Sequence, residues 1–197
     1  FSETKTMSKE DALKEGLLTI IGKEIDDRYI DCLKKLVINP VSEKGKELKI
    51  VYTPLHGSGN VPVRRILSEL GFKNVYVVPE QELPDPDFST VDYPNPEDPA
   101  VYKLALELAE KVNADVILAT DPDADRLGIQ VRDNNGKFVL FNGNMTGALI
   151  AEYVFSQKAE KGILPKNSAL IKTIVSGNIT DQIAKEYKAK LIEVLTG

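Results

Sequence analysis

The chain has little of what marks secreted, membrane-spanning or nucleic-acid-binding proteins. Its 197 residues contain no tryptophan and a single cysteine, Cys32, so an internal disulfide is impossible and we expect a reduced, cytoplasmic setting. No apolar run approaches the roughly 20 residues that a membrane helix needs, and residues 1–6 show no signal-peptide pattern. The net charge of -5 argues against the clustered basic face of non-specific nucleic-acid binding. Neither a membrane nor a nucleic acid is therefore an expected partner.

The composition and the order of the apolar segments instead indicate a globular α/β protein. Hydrophobic residues make up 42% and charged residues 28% of the chain, which is enough to bury a core. Strand-like and helix-like patterns alternate, as they do in β-α-β units. The predicted strands cover 48–52, 75–78, 115–120, 127–131, 137–141, 169–175 and 191–195, and the main predicted helices cover 25–36, 63–70, 99–112 and 143–155.

Turn and cap residues refine this pattern. Ser8 predicts the start of a short helix that Gly16 could end, and Ser176 is the predicted cap of a helix after the sixth strand. The Asn-Asn-Gly stretch at 134–136 predicts a hairpin, so the sheet is expected to be mixed. Six prolines at 79–99 predict a long ordered loop or a linker.

Three aspartates lie within five positions directly after the apolar run 116–119: Asp121, Asp123 and Asp125. Like charges this close repel one another, and a hard divalent cation with oxygen ligands would hold them together. Mg²⁺ is the first candidate, because Arg126 follows at once and its planar fork suits phosphate oxygens. An Asp-Pro-Asp stretch can also be an ordinary solvated turn. Its position at the carboxyl end of a buried-type strand favours a ligand site, since open α/β sheets bind ligands at that edge.

Residues 121–126, here called the acidic loop, can be compared with other metal loops. An EF-hand needs Gly at its sixth position and Glu at its twelfth, and this chain has Arg126 and Arg132 there. A phosphatase of the haloacid-dehalogenase type also places Asp-x-Asp after a strand, but it usually has Thr or Val where this chain has Asp125. That alternative, a metal-dependent aspartyl phosphatase with Asp121 as the nucleophile, stays open.

The glycine-containing segment 53–60 follows a strand and precedes a helix, where a phosphate-binding loop would lie. A dinucleotide fingerprint would need a third glycine at Pro62, and no Gly-Lys-Ser or Gly-Lys-Thr follows for a Walker loop. The glycines are therefore expected to make a tight turn. His56, the only histidine, is interpreted as a hydrogen-bonded structural residue rather than a base. The sequence has no Gly-x-Ser-x-Gly motif, so a hydrolase of the Ser-His-Asp type is not expected.

Five separated motifs, in order, resemble the α-D-phosphohexomutase superfamily and its phosphoglucomutase branch. The acidic loop resembles the metal-binding loop of that family, whose usual form is Asp-Gly-Asp-x-Asp-Arg. The other four similar stretches are Thr53-Pro54-Leu55-His56-Gly57, the proline-rich pair 83–88 and 93–97, Gly143–Leu149, and Leu195-Thr196-Gly197. The resemblance covers the chain from about residue 8 to its end.

The resemblance implies a fold, a reaction and a set of ligands. It implies a three-layer α/β/α domain with a mixed, mostly parallel sheet, followed by the truncated start of a second similar domain. It implies that the three aspartates of the acidic loop bind Mg²⁺, that Arg126 contacts the phosphosugar, and that Thr196 and Gly197 begin a sugar loop. Family members interconvert glucose 1-phosphate and glucose 6-phosphate, or the mannose equivalents, through a phosphoserine and a bisphosphate such as glucose 1,6-bisphosphate.

The same resemblance predicts three regions and an inactive fragment. Residues 1–22 would be a linker and helix from a preceding domain, 23–142 domain II with the metal loop, and 143–197 the first part of domain III. Phe1 in place of an initiator Met suggests an excerpt, and the phosphoserine motif Thr-Ala-Ser-His-Asn-Pro is absent from it. We therefore expect no catalytic nucleophile in this chain. A non-catalytic module that binds a sugar phosphate remains an alternative.

Overall fold

The computed structural model of the protein describes residues 4–196, so the predicted site residue Gly197 lies outside the described residues. The chain divides into two compact units, of which the first ends at Leu36 and the second begins at Val37. Within residues 4–196 no helix combines the length and the apolar character that crossing a bilayer requires.

The first unit contains two helices, α1 (Lys9–Lys14) and α2 (Lys23–Lys34). Ser8 caps α1 as predicted, because its hydroxyl oxygen accepts the backbone N–H of the third helical residue. Gly16 follows α1 with a φ of +73°, as expected of a residue that ends a helix. Cys32 is exposed on α2.

The second unit alternates strands and helices. Its strands within the described residues are β1 (Lys49–Thr53), β2 (Asn74–Val77), β3 (Val116–Thr120), β4 (Leu127–Arg132), β5 (Phe138–Phe141), β6 (Ala169–Thr173) and β7 (Lys190–Val194). Its α-helices there are α3 (Glu43–Lys46), α4 (Asn60–Glu69), α5 (Pro79–Glu82), α6 (Lys103–Val112), α7 (Gly143–Glu160) and α8 (Ile179–Glu186). A 3₁₀ turn, Pro99–Tyr102, leads into α6, and the side chain of Asp98 accepts the backbone N–H of Ala100 at its start.

Five strands form one mixed sheet in the order β2-β1-β3-β4-β5. The pairs β1–β2 and β1–β3 are parallel, whereas β3–β4 and β4–β5 are antiparallel. Four of the five strands therefore point the same way, which confirms the predicted mixed α/β sheet. Gly136, at a φ of +78°, closes the predicted hairpin between β4 and β5.

The middle strands of this sheet are covered on both faces. Four consecutive β1 residues, 50–53, are buried, as expected of a parallel strand with both faces covered. Ala105 and Ala109 of α6 are fully buried in the same cluster as Val51 and Ile117. The small alanine side chains let the helix backbone lie close to the strands.

The proline-rich segment 79–99 is an ordered loop, so the alternative of a linker is wrong. Gln81 on α5 is fully buried, and its side chain bonds to Thr53 and Thr90. A buried amide must have hydrogen-bond partners to offset its lost hydration. Those partners fix the segment against the end of β1.

Residues 143–196 build a separate, smaller sheet in which β6 and β7 are parallel. Its core cluster contains Ala148 and Phe155 of α7, Leu170 of β6, and Ile183 of α8. The predicted cap at Ser176 is wrong, because α8 begins later, at Ile179, without a side-chain cap. The Ser176 hydroxyl lies instead 3.0 Å from the hydroxyl oxygen of Thr173.

Candidate metal centre

The acidic loop leaves β3 at the carboxyl edge of the larger sheet. From β1 the chain crosses to β2 on one side, and β3 pairs with β1 on the other side, with Thr53 opposite Ala119. The order of strands thus reverses between β1 and β3. Ligands of open α/β sheets bind in the crevice that such a reversal leaves at the carboxyl ends of the strands.

The three aspartates of the acidic loop converge. Each of Asp121, Asp123 and Asp125 offers a carboxylate oxygen, and these three atoms lie within 4.8 Å of one another. Asp121 is only 2% exposed, whereas the other two are exposed. The acidic loop reverses direction at Ala124, which has a φ of +60°. This left-handed conformation costs a residue other than glycine about 1–2 kcal/mol.

Arg126 holds Asp121 by two hydrogen bonds. Its backbone N–H donates to Asp121 Oδ1 at 3.0 Å, and its Nε–H donates to Asp121 Oδ2 at 2.7 Å. The side chain of Arg126 remains 46% exposed, with Nε 3.8 Å from Asp125 Oδ1. The guanidinium therefore orients the buried carboxylate and still presents part of its surface to the solvent beside the acidic loop.

The electrostatics of the acidic loop differ from one aspartate to the next. Burial raises the pKa of Asp121, but the hydrogen bonds and charge of Arg126 outweigh burial, so the pKa lies below its ordinary value. The charge of Asp123, then burial and the charge of Asp121, raise the pKa of Asp125. The outer carboxylates thus repel one another, and a bound cation would relieve that repulsion.

The donor set fits a hard divalent cation. The three candidate ligands are carboxylate oxygens, which Mg²⁺ and Ca²⁺ prefer. Ligands of an octahedral Mg²⁺ are about 2.9 Å apart when adjacent and about 4.2 Å apart when opposite, so oxygens within 4.8 Å of one another would draw closer by side-chain rotation on binding one ion. Although both oxygens of Asp121 accept hydrogen bonds, each has a second lone pair that a cation can use.

The turn at residues 54–59, called the β1–α4 turn, lies directly against the acidic loop. Gly57 approaches so closely that a Cβ there would be 2.4 Å from Pro122 Cα and 2.5 Å from its carbonyl oxygen. Ser58 donates its backbone N–H to that oxygen at 2.8 Å and its hydroxyl at 3.1 Å. The left-handed residues of the turn are Leu55 and His56, so close packing, and not a left-handed φ, requires the glycine.

A second contact joins the strand ends beneath the two loops. The Tyr52 hydroxyl lies 2.8 Å from the Thr120 hydroxyl, and both residues are buried. A Cβ on Gly59 would come within 2.7 Å of each hydroxyl oxygen. This pair therefore locks the last residues of β1 and β3 side by side, immediately before the β1–α4 turn and the acidic loop.

His56 is a buried, hydrogen-bonded residue, as interpreted from the sequence. Its Nδ1 lies 2.9 Å from the carbonyl oxygen of Leu83, and its Nε2 lies 2.8 Å from the hydroxyl of Thr90. The residue is 6% exposed. Both ring nitrogens are engaged, so the ring ties the β1–α4 turn to the proline-rich loop.

The structure does not place all the predicted site residues together. The three aspartates and Arg126 share the acidic loop of the larger sheet, whereas Thr196 is exposed just beyond β7 of the smaller sheet. The sequence interpretation also missed the contacts of Gly57 and Ser58 with Pro122. The only signal for them was two glycines that follow a strand, which a simple tight turn would equally explain.

Family models match most of the chain. The model described as phosphoglucomutase/phosphomannomutase, alpha/beta/alpha domain II, matches residues 27–136, and the model for alpha/beta/alpha domain III of the same family matches residues 142–197. The acidic loop and the β1–α4 turn both lie inside the first match.

Individual proteins show the same likeness. Phosphoglucomutase of Staphylococcus aureus strain N315 is 39% identical over 176 residues, which cover 89% of this chain and 30% of that protein. A phosphoglucomutase/phosphomannomutase family protein from Burkholderia thailandensis superposes with a TM-score of 0.65 at 19% identity, over 88% of this chain and 33% of that one. An Aspergillus fumigatus N-acetylphosphoglucosamine mutase in complex with GlcNAc-6P and magnesium superposes with a TM-score of 0.53 at 18% identity, over 77% and 29%.

Proposed function

The chain belongs to the phosphoglucomutase/phosphomannomutase family, and we propose that its protein interconverts hexose 1-phosphate and hexose 6-phosphate with the help of Mg²⁺. The chain spans about 30% of the length of the curated relatives it matches, so this activity is proposed for the whole protein. We propose glucose phosphates as the substrates, because curated relatives from several Staphylococcus aureus strains are phosphoglucomutases. The regions 1–22, 23–142 and 143–197 and a cytoplasmic setting belong to the same proposal.

The observation that carries the proposal is the convergence of three carboxylate oxygens at the carboxyl edge of β3. A bound Mg²⁺ would neutralise charge on a phosphoryl oxygen and hold that group in position. Asp121, Asp123 and Asp125 would be its ligands. The fungal mutase, solved with magnesium and GlcNAc-6P, supports this pairing of cation and sugar phosphate.

We assign separate roles to the remaining site residues. Arg126 fixes the orientation of Asp121 through two hydrogen bonds, and its exposed part would contact the phosphate of the sugar. Thr196 and Gly197 would begin a loop that contacts the sugar. The serine that carries the phosphoryl group would lie outside these 197 residues, and the isolated chain would then have no turnover.

The phosphoryl group would move between the serine oxygen and a sugar hydroxyl. In the first half-reaction the phosphoserine would give its phosphoryl group to a free hydroxyl of the sugar monophosphate, which loses its proton while the serine oxygen regains one. In the second, the resulting bisphosphate would give its other phosphoryl group to the serine oxygen and leave as the isomeric monophosphate. The bisphosphate, such as glucose 1,6-bisphosphate, is the species between the two half-reactions. The residues of this chain would position the donor and screen its charge, which is most of what phosphoryl transfer requires of a protein.

A metal-dependent aspartyl phosphatase is the rival enzyme, and the environment of Asp121 argues against it. A nucleophilic carboxylate needs an accessible oxygen, but Asp121 is 2% exposed and both its oxygens accept hydrogen bonds from Arg126. Beryllofluoride with Mg²⁺ would form an aspartyl-phosphate mimic at Asp121 in a phosphatase. We expect no such adduct.

A coupled mutase assay of the full-length protein tests the proposal. Replacing all three aspartates by asparagine should reduce turnover at least about a hundredfold, because the cation and its positioning would be lost. Unchanged turnover would contradict the proposal. Binding of glucose 1-phosphate without turnover by the unmodified full-length protein would favour the non-catalytic module instead.

A further inference from the structure

We propose that the β1–α4 turn positions the acidic loop for metal binding, and that Gly57 is the positioning residue on which this depends. The inference rests on the proposed function, because it assumes that Asp121 and Asp123 bind a divalent cation. It adds that their positions are set by a contact from another part of the chain. Gly57 and Pro122 are separated by 65 positions in the sequence but touch through their backbones.

The contact falls between two of the proposed ligands. Pro122 is the single residue between Asp121 and Asp123, and its ring already fixes its own φ. Its carbonyl oxygen accepts two hydrogen bonds from Ser58, which hold the peptide that follows. With both ends of this residue fixed, the backbone positions from which the two carboxylates extend are fixed as well.

Buried hydrogen bonds hold the β1–α4 turn in place, so it can fix the position of the acidic loop. His56 donates its backbone N–H to the Gln81 carbonyl oxygen at 3.0 Å, and its ring contacts Leu83 and Thr90. Gln81 is itself fully buried and bonded to Thr53. A displacement of the turn would break several buried hydrogen bonds at once, which is costly in a low-dielectric interior.

The absence of a side chain at Gly57 is the critical condition. Backbone atoms of Pro122 lie 2.4 to 2.8 Å from the position of a Cβ at residue 57, so alanine would push the two loops apart. Since the turn is anchored below by Gln81, the acidic loop is the part expected to move. A shift near 1 Å is sufficient to disorder a set of metal ligands.

The chain supplies a matched control at Gly177. Gly177 stands four residues after Thr173, the last residue of β6, as Gly57 stands four residues after Thr53, the last residue of β1. A Cβ on Gly177 would meet only Asn144, at 3.7 Å, which is ordinary van der Waals contact. The same substitution at the equivalent position should therefore leave the acidic loop undisturbed.

The test is a titration of the 197-residue chain with Mn²⁺ or Mg²⁺, followed by calorimetry or by Mn²⁺ electron paramagnetic resonance. Gly57→Ala should weaken cation binding by at least about tenfold, as changes to groups that orient metal ligands do. Gly177→Ala should bind like the unmodified chain. Far-ultraviolet circular dichroism and the thermal midpoint report whether each variant is folded at the titration temperature.

The outcomes separate this inference from the proposed function. Folded Gly57→Ala with unchanged affinity would overturn the inference, and a lower thermal midpoint alone would then mean a merely structural role. Asp123→Asn/Asp125→Asn tests the metal site itself. If that double variant binds the cation as well as the unmodified chain does, the proposed function fails as well.

Amide hydrogen exchange covers the case in which Gly57→Ala does not fold. The Ser58 N–H donates to the Pro122 carbonyl oxygen, so a coupled cation should slow its exchange in the unmodified chain, by the reciprocity of linked equilibria. The Gly136 N–H, in the hairpin turn at the far end of β4, is the control and should not respond. Equal exchange of Ser58 with and without saturating Mn²⁺ or Mg²⁺ would contradict the proposed coupling.

Discussion

The chain builds the same β-α-β unit twice, and the two copies differ in how their first strands are buried. The unit β1-α4-β2 belongs to the five-stranded sheet, and β6-α8-β7 makes up the two-stranded one. Residues 50–53 of β1 are all buried, but in β6 only Leu170 and Lys172 are. Within the described residues β1 has a strand on each side, whereas β6 pairs only with β7.

Local sequence therefore sets the β-α-β unit, while the neighbouring elements decide what its first turn can contact. Both units place a glycine four residues after the first strand. A Cβ on Gly57 would clash with the backbone of Pro122, whereas one on Gly177 would make only an ordinary contact with Asn144. Because β3 pairs with β1, the acidic loop at the end of β3 contacts the β1–α4 turn. That contact makes the β1–α4 turn part of the candidate metal centre.

The largest expected difference concerns isoleucines of the two first strands. Ile50→Ala should destabilise the chain by about 3 kcal/mol, because the side chain is 3% exposed and its removal leaves a cavity. Ile171→Ala should cost less than about 1 kcal/mol, since that side chain is 65% exposed. Urea unfolding of the 197-residue variants measures both values. An equal loss of unfolding free energy in the two variants would mean that Ile171 is buried in solution, and would contradict the difference in burial between β1 and β6.

A smaller difference is expected from removing one tyrosine hydroxyl in each unit. Tyr52→Phe should lower stability by about 1–2 kcal/mol, because Thr120 would lose a buried partner. The Tyr187 hydroxyl bonds to Glu152 at the surface, where water can replace it. Tyr187→Phe should therefore have the smaller effect in the same unfolding experiment. If Tyr52→Phe leaves the free energy of unfolding unchanged, the hydroxyl pair does not stabilise the junction of the two strand ends.

The smallest effect concerns the residues that end the helices of the two units. Gly71 ends α4 with a φ of +92°, whereas Lys188 takes the equivalent place after α8 with a φ of +53°. Lys188→Gly should stabilise the chain by about 0.5–1 kcal/mol, because glycine adopts this conformation without strain. Thermal unfolding checks the sign. A lower midpoint would mean that contacts of the lysine side chain outweigh its backbone strain.

The sequence predicted most elements because their signals are local. The hairpin was predicted from Asn134-Asn135-Gly136, and the strand β3 from its apolar run. Helix α7 extends to Glu160, five residues beyond the predicted end at Phe155. Residues 156–160 are polar apart from Ala159, so they include good helix formers but carry no apolar periodicity. The pattern therefore ended before the helix did.

The candidate site was predictable only in part, for the same reason. The acidic loop is continuous in the sequence, so its aspartates and Arg126 could be named before the structure. The contacts of Gly57 and Ser58 with Pro122 arise from the pairing of β1 with β3. That pairing joins segments more than 60 residues apart, and no local propensity encodes it.

The position of a bound cation would show directly whether the three aspartates of the acidic loop form the metal site. Crystals of the 197-residue chain grown or soaked with Mn²⁺, which binds the same oxygen ligands as Mg²⁺, can be measured at the manganese absorption edge. We expect one anomalous peak, from an ion bound by carboxylate oxygens of Asp121, Asp123 and Asp125. Full occupancy of Mn²⁺ at another site, with no peak at these three aspartates, would contradict it.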